Sequence, residues 1–568
     1  MSGKKNVKGM SGMGKERLMW ELEKFVATRL RPCREFHDIY ELCHDTLYVE
    51  ERLRHMDDWW DWHGHMYRNH WGEIVCLPQL TNHEICHEMF WNAFRGRSRM
   101  YIQIENLRFD RDNIGEEDSL FCQLQEDETV TLQCSLLTLQ MLDYDAVMFR
   151  AMSDPDDEEY KKAAQKFYRP YLFSYVMEIN SAQYEKLREL QGKAEEELPY
   201  NEEGFASHLW LACTFHPDSS DSYTSFDGYV VQSASGVNKI RAELYIIEDK
   251  KTPVETVRSI LDTYQLRHSC VKDDHLFIQT LEQKLGCDRL STIDVYKVGN
   301  GNCVYAQGKG GTMGFFYDIG FHYRHRPKEI APGVTYAYSD TMRKIYAQKP
   351  SFFILSHWDM DHIAGSAAAR KDFLDQDWFA PDCHDACADA KRLAKYLDIK
   401  DHLFLAGRTL PGRLIGKVDI NGTAASPLAT YRFYMGAKAS CDRSLPNCEG
   451  IVMEYTDQIT QKTVLMMGDV NYASFNKARK RSSEPLFADT SIDYLIAPHH
   501  GSQHTDYDKI TDGKKPKKGT LAIICCTNSE DENRPNGKHK KELEKRFGDN
   551  VRTTEEDGSG NQCISINL

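Results

Sequence analysis

The sequence predicts an α/β fold over residues 289–568, preceded by an α+β region over 16–288 and a structureless tail over 1–15. Three observations carry this prediction. Short apolar runs in the C-terminal half, among them Phe352 to Leu355, Val464 to Met467 and Tyr494 to Ala497, have the length and composition of buried strands. These runs give way within three residues to groups that bind metals or move protons: His357, Asp469, His499 and His500. The N-terminal region also alternates strand-like runs with helical patterns, but nothing in that pattern points to a function.

Length and composition bound the possibilities. A chain of 568 residues exceeds one compact core, and about one domain per 150 residues gives two to four. A hydrophobic fraction of 41% with 28% charged residues is that of a soluble globular protein. No apolar run approaches the ~20 residues that span a bilayer, and the N-terminus lacks the apolar core of a secretory signal, so no membrane partner is expected. The 17 cysteines, odd in number and irregularly spaced, favour reduced thiols and a cytoplasmic location. A net charge of −15 repels polyanions on average, so a nucleic-acid or phosphate substrate requires a local basic region.

Along the N-terminal region, Gly9 to Lys15 matches a phosphate loop formally, but Glu16 follows and no strand precedes it. Leu18, Leu22, Phe25 and Val26 have helical spacing within a pattern running from Glu16 to about Arg54. Trp59, Trp60, Trp62, His63, His65, His70 and Trp71 form a patch that reads as aromatic packing between helices, with a protein-partner surface as the alternative. His83-Glu84-Ile85-Cys86-His87 has the zinc-protease spacing. No metzincin-type continuation follows, Glu105 is close in sequence for a third ligand, and 22 histidines make a chance match ordinary. Strands are expected at Met100 to Ile104, Thr129 to Cys134, Tyr229 to Gln232 and Ala242 to Ile247. Ser153 to Glu159 reads as a helix cap and acidic first turn, which suits the helix dipole. Helices around 253–264 and 277–285 lead to a boundary near 285–290, and no internal repeat is evident.

The C-terminal half is organised around Ser351 to Ser366. After its apolar strand come His357, Asp359, Asp361 and His362, four potential metal ligands in six positions. Charged groups at the mouth of a buried strand must be solvated, paired or bound to a cation, and an extended turn points His357, Asp359 and Asp361 the same way. Two metals suit this density better than one. A helix is expected over Gly365 to Leu374. Cys383-His384-x-x-Cys387 lacks a nearby second pair and reads as ordinary helix cysteines.

His-x-Asp-x-Asp-His after an apolar strand resembles the signature of the metallo-β-lactamase fold, in the variant found in the soluble nuclease domain of ComEC-type DNA-uptake proteins and in some phosphodiesterases and phosphorylcholine esterases. Other stretches are similar to that family's motifs: Ile293-Asp294-Val295 leading to Gly299-Asn300-Gly301-Asn302-Cys303, Phe315 to Gly320, Val464 to Asp469, Tyr494 to Ser502, and Asn533 to His539. The resemblance covers roughly residues 290–568 and implies an αββα sandwich. It implies that His357 and Asp359 hold one divalent metal, Zn²⁺ or Mn²⁺, and Asp361 and His362 a second, with Asp469 bridging. His499 or His500 completes the second metal, and the other orients substrate or protonates a leaving oxygen. Asp318 holds the ligand loops, and His539 is a proton donor or phosphate contact. The further metal-binding His of many family members has only His384 and His402 as candidates here.

Two metals about 3.5–4 Å apart lower the pKa of a shared water, giving a nucleophile for phosphorus or carbonyl carbon. Basic clusters bear on the choice: Lys477, Arg479, Lys480 and Arg481; Lys514, Lys515, Lys517 and Lys518; and His322, Arg324, His325 and Arg326. In an acidic chain they favour a polyanionic substrate. The expected activity is therefore a metal-dependent phosphodiesterase, foremost a nuclease on DNA or RNA. A hydrolase of a small phosphodiester, lactone or thioester is the alternative. The N-terminal half as a partner-binding module controlling the hydrolase is a third reading.

Overall fold

The computed structural model describes most of residues 262–568, all but 268–271, 287, 322–338, 369–370, 384–385, 408–411, 424–425, 437–449, 483–491, 503–518, 527–534 and 556–561. Before these it describes 10–29, 66–68, 74–76, 82, 85–86, 89, 100–109, 129–171, 173–180, 210–216, 228–232, 236–238 and 243–247. Helix α1 (Met10–Arg29) begins inside the stretch expected to be structureless. Its buried Leu18, Leu22 and Phe25 form the predicted apolar stripe, and Gly14 lies so close to the backbone of Glu159 and Tyr160 that a Cβ there would overlap it. The aromatic patch lies outside the described residues, as do His83, Glu84 and His87.

Strands β1 (Met66–Arg68) and β2 (Ile74–Cys76) pair with each other. The N-terminal sheet contains β3 (Met100–Phe109), β4 (Thr129–Thr138), β5 (Phe173–Asn180), β6 (Trp210–His216), β7 (Gly228–Gln232), β8 (Gly236–Asn238) and β9 (Glu243–Ile247). Its order is β8-β7-β5-β4-β3-β6-β9, antiparallel throughout. Between β4 and β5 lie α2 (Leu139–Met152), capped by Thr138, and α3 (Glu158–Phe167), capped by Asp157 with Glu158 and Glu159 in its first turn as predicted.

Helix α4 (Asp274–Leu285) leads into two seven-stranded mixed sheets. The first contains β10 (Leu290–Tyr296), β11 (Cys303–Gly308), β12 (Gly314–Ile319), β13 (Phe352–Ile354), β14 (Asp377–Ala380), β15 (Leu403–Leu405) and β23 (Cys563–Asn567), in the order β15-β14-β13-β12-β11-β10-β23. The second runs in sequence through β16 (Arg413–Thr423), β17 (Ser426–Met435), β18 (Ile451–Asp457), β19 (Lys462–Met466), β20 (Tyr494–Ile496), β21 (Leu521–Ile524) and β22 (Val551–Thr553). Each sheet is antiparallel over one half and parallel over the other; β12 to β15 and β19 to β22 are the parallel blocks.

Period-two burial explains why the sheets pack face to face. Ile293, Val295, Phe315, Tyr317, Phe352 and Ile354 of the first sheet meet Tyr431, Phe433, Met453, Val464, Met466 and Ile496 of the second in one core. The intervening residues face outward and are covered by helices. Phe316, Phe353 and Trp378 stack under α8 (Lys371–Leu374), while Val452, Leu465 and Leu495 pack under α10 (Tyr472–Arg481) and α11 (Gly537–Phe547). This is the αββα layering expected from the sequence. The remaining helices are α5 (Ser339–Ala347), α6 (Met360–Ile363), α7 (Gly365–Ala368) and α9 (Ala388–Ile399). Of the helix expected over Gly365 to Leu374, α7 and α8 are described and residues 369–370 between them are not, and Cys387 caps α9. Among the described residues no helix is long and apolar enough to cross a membrane.

The N-terminal region docks on α9 through a buried ionic cluster. The fully buried Arg392 guanidinium donates to Asp145 of α2 at 2.7 Å and also pairs with Asp389, while it lies over the Tyr171 ring. Asp145 accepts from the hydroxyls of Tyr168 at 2.8 Å and Tyr264 at 2.6 Å. Removing one partner of a buried ion pair strands the other charge. Asp145→Ala should therefore lower stability by about 3 kcal/mol or more in urea unfolding; a loss below about 1 kcal/mol would show that Asp389 and the tyrosines suffice.

Candidate metal centre

The carboxyl ends of the two parallel blocks meet at one edge of the sandwich, where open α/β sheets place their ligands. Asp318 lies near the end of β12, Ser356 and His357 follow β13, Gly468 and Asp469 follow β19, His499 and His500 follow β20, and Cys525 follows β21. The backbone is forced into the left-handed region at Asp318 (φ 60°), Gly468 (φ 53°), His499 (φ 49°) and His500 (φ 52°). For a non-glycine residue this conformation costs about 1–2 kcal/mol. Gly468 is required twice over, since a Cβ there would overlap the Ser356 side chain. A Cβ on Gly320 would likewise overlap the Asp361 carbonyl.

Asp469 is the centre of the site. Its Oδ1 lies 3.1 Å from His362 Nε2 and 3.8 Å from His500 Nε2, and its Oδ2 lies 3.7 Å from both His357 Nε2 and His499 Nε2. Asp361 Oδ2 is 3.2 Å from His500 Nε2, and Asp359 Oδ2 is 3.5 Å from His357 Nε2. Ligand atoms of His357, His362 and Asp469 lie within 4.8 Å of one another, as do those of Asp361, His362 and His500. The chain turns into α6 at Met360, so Asp361 swings to the His500 side instead of pointing with His357 and Asp359 as an extended turn would have it. Asp359 sits at the N-cap of α6 without capping it, which leaves its carboxylate facing His357.

Beneath these groups a hydrogen-bonded layer sets the ring orientations. Asp318 Oδ1 accepts from the Ser356 backbone N–H at 2.6 Å, and Oδ2 accepts from Ser356 Oγ and from Asn302 Nδ2, both at 2.7 Å. His362 Nδ1 lies 2.8 Å from Asp318 Oδ2, and His357 Nδ1 lies 3.0 Å from Ser356 Oγ. His500 Nδ1–H donates to the Cys525 carbonyl at 3.0 Å. All three rings thus engage Nδ1 below and turn Nε2 toward Asp469. Sequence reasoning named Asp318 but missed Ser356, Asn302 and the Cys525 carbonyl. Ser356, directly before the first histidine of the motif, and Asn302, within the Gly299 to Cys303 stretch, were the two with a positional signal.

The buried atoms His357 Nε2, His362 Nε2, His500 Nε2 and Asp469 Oδ1 make no well-aligned hydrogen bond among the described residues. Groups this buried need a partner, and imidazole nitrogens with carboxylate oxygens form a donor set suited to Zn²⁺ or Mn²⁺. Burial alone would lower the His362 pKa, but Asp469 and Asp318 raise it well above the usual imidazole value. His357 is likewise raised, by Asp359 and Asp469 against burial and the neighbouring His362. Burial opposes ionisation of Asp469 and Asp361, yet the surrounding imidazoles hold both well below the carboxylate range. A field that draws protons onto histidines attracts a cation equally, and metal uptake would displace those protons.

Several expected site residues stand elsewhere. His500, 2% exposed, joins Asp361 and His362 and so has the ligand-like position that the sequence left open between His499 and His500. His539 on α11 is buried, with its Nε2 3.2 Å from the Tyr472 hydroxyl; burial, only partly offset by the Gly501 and Ser502 backbone, pushes its pKa down to about 4. It is neutral at pH 7 and braces the turn after His500, which does not suit a proton donor. Arg479 is also not a substrate contact, because its guanidinium is 4% exposed and donates to Glu454 at 2.7 Å. Lys480 follows in the last turn of α10, about 14 Å along the helix from Asn471 at 1.5 Å per residue; Lys477 lies one turn earlier. His402 pairs with Asp377 at 2.9 Å. Arg324, Lys514, Lys515, Lys517 and His384 lie outside the described residues.

The two packed sheets and the edge on which these groups meet give the αββα layering that the resemblance to the metallo-β-lactamase fold implies. No protein-family model matches the sequence, and comparison with curated proteins finds no match. Among solved structures, the chain is similar to unliganded yeast PDE1 at 9% identity and a TM-score of 0.23, over 46% of this chain and 86% of that one. It is also similar to CmlA, a diiron β-hydroxylase from Streptomyces venezuelae, at 10% identity and a TM-score of 0.31, over 75% of this chain and 90% of that one. Likenesses this remote leave the site to be judged on its own geometry.

Two outcomes check this reading. Ser356→Ala should weaken divalent-metal binding about 10–100-fold by freeing the His357 ring and removing one support of Asp318, measured by titration with Zn²⁺; unchanged affinity would dismiss the supporting layer. Because the His539 pKa is depressed by folding, its contribution to stability is complete above about pH 6.5 and is lost as pH falls toward 4. Wild type should therefore lose about 3 kcal/mol relative to His539→Gln across that window; parallel pH profiles would show that His539 does not titrate as described.

Proposed function

We propose that this chain hydrolyses phosphodiesters with two divalent cations, Zn²⁺ or Mn²⁺, held around Asp469. The observation that carries the reading is the convergence on one site of four buried ligand-type atoms that make no well-aligned hydrogen bond among the described residues, with Asp361 at its margin. His357 and Asp359 lie on the Oδ2 side of the bridging carboxylate, and Asp361, His362 and His500 on the Oδ1 side. Bound there, the cations would supply an activated water and neutralise charge developing on phosphorus. The chain's own part is orientation: Asp318, Ser356 and the Cys525 carbonyl hold three imidazoles with Nε2 inward.

A nucleic-acid substrate is the first to test. It rests on the resemblance to the ComEC-type nuclease domain and on Arg324, Lys514, Lys515 and Lys517. The burial of Arg479 against Glu454 removes one member of a basic cluster and favours, as a second reading, a small phosphodiester such as a cyclic nucleotide or choline phosphate. Steep salt dependence of binding distinguishes the polymer. The N-terminal region as a protein-binding module controlling this hydrolase remains part of the proposal, motivated by its aromatic patch.

The test compares wild type with Asp361→Ala and His362→Ala on single- and double-stranded DNA, RNA, bis(p-nitrophenyl) phosphate, a lactone and a thioester. Activity should require added Mn²⁺ or Zn²⁺ and vanish with chelator, and each variant should fall by more than the ~100-fold typical of losing a supporting residue. Cleavage of the lactone or thioester alone would replace phosphorus by carbon as the target. Metal-loaded wild type that cleaves no phosphodiester would overturn the proposal.

A further inference from the structure

We infer that His499 is a ligand of the metal position on the Oδ2 side of Asp469, so that the two adjacent histidines of one turn serve two different metals. The inference rests on the dinuclear reading and deepens it. The Oδ1 side is well supplied, with Asp361, His362 and His500 clustered there. The Oδ2 side has His357 and, beside it, the partly exposed Asp359. Of the other histidines considered from the sequence, His402 is held by Asp377, and His384 lies outside the described residues. His499 Nε2 lies 3.7 Å from Oδ2, the same distance as His357 Nε2. Two ligand atoms bound at about 2.0–2.2 Å to one tetrahedral ion stand roughly 3.3–3.6 Å apart, so each ring is already close to the separation from Oδ2 that a shared ion requires, while His499 must move toward His357 to join its group.

The backbone explains how neighbours in sequence can do this. Successive residues of an extended strand point to opposite faces, which would send one ring away from the site. Here both residues are left-handed, with φ 49° and ψ 45° at His499 and φ 52° and ψ 28° at His500. The rings lie 6.3 Å apart and 76° out of parallel, each facing a different oxygen of the same carboxylate. The turn is pinned by His499 N–H donating to the Gly468 carbonyl at 3.0 Å and by Ser502 N–H donating to the His499 carbonyl at 2.9 Å. Since Gly468 immediately precedes Asp469, the turn is tied directly to the strand end that carries the bridging carboxylate. His499 is also the more exposed of the two rings, at 13%, which places this ion toward the solvent side.

The experiment titrates chelator-stripped full-length protein with Zn²⁺ alone by calorimetry, and with Co²⁺ alone by absorption spectroscopy. Wild type is compared with His499→Asn, His499→Gly, His357→Asn and His500→Asn. Asn and Gly both accept a left-handed backbone, so the turn is preserved, and circular dichroism checks the fold. Wild type should take up two ions. Both His499 variants should weaken one of them at least about tenfold and leave the other unchanged; His357→Asn should weaken the same ion, and His500→Asn the other. Two ions bound at wild-type affinity by both His499 variants would overturn this assignment alone, whatever happens to turnover. Fewer than two ions in wild type would overturn the dinuclear reading and this assignment with it.

Discussion

The burial of Asp469 is the constraint on which the rest of the C-terminal half depends. A carboxylate taken out of water costs several kcal/mol unless opposite charge or hydrogen bonds replace its solvation. Here four imidazoles stand within 3.1 to 3.8 Å of its two oxygens. No single segment can deliver four rings to one carboxylate. They come from the ends of β13 and β20, in different sheets, and Asp469 itself follows β19. The face-to-face packing of the sheets is therefore also what assembles the site, and an error of register in either parallel block would separate the two sets of ligands.

Local strain accompanies that assembly. Asp318, His499 and His500 adopt backbone conformations that their side chains disfavour, and all three lie where a strand must end abruptly and aim a polar group inward. Each is held by bonds to a neighbouring strand end: Asp318 to Ser356 and Asn302, His499 to Gly468, and His500 to Cys525. The supports are reciprocal. Asp318 fixes Ser356, Ser356 fixes His357, and Asp318 also fixes His362, so the ligand-type residues are oriented before any ion arrives. Such preorganisation lowers the ordering cost that binding would otherwise carry.

A second buried charge ties the N-terminal region to this scaffold. Arg392 and Asp389 on α9 meet Asp145 on α2 in surroundings that include Tyr168, Tyr171 and Tyr264. Because α9 packs against β15 of the first sheet, α2 and β4 of the N-terminal region rest against a helix of the sandwich. An ion pair so fully buried confers a defined docking geometry more than net stability.

The strand ends and their polar residues were legible in the sequence because they are short-range signals. An apolar run of four residues followed by Asp or His marks both a strand and its mouth, the α/β class follows from several such runs in order, and the αββα layering is what the resemblance of their motifs to a known family implies. Asp318 could be placed under the ligand loops for the same reason. Other features depend on groups far apart in the chain. Arg479 looked like part of a basic surface, but Glu454, 25 residues earlier, draws it into the core. His539 looked like a proton donor, but Tyr472 and the Gly501 turn bury it. The division of labour between His499 and His500 depends on a left-handed turn whose cost is met by contacts with Gly468 and Cys525, and no local pattern encodes those contacts. The sequence by itself determined which residue types would stand at which strand ends. Only the packing of one sheet on the other decided which oxygen of Asp469 each of them faces, because that depends on distances across the sandwich and not along the chain.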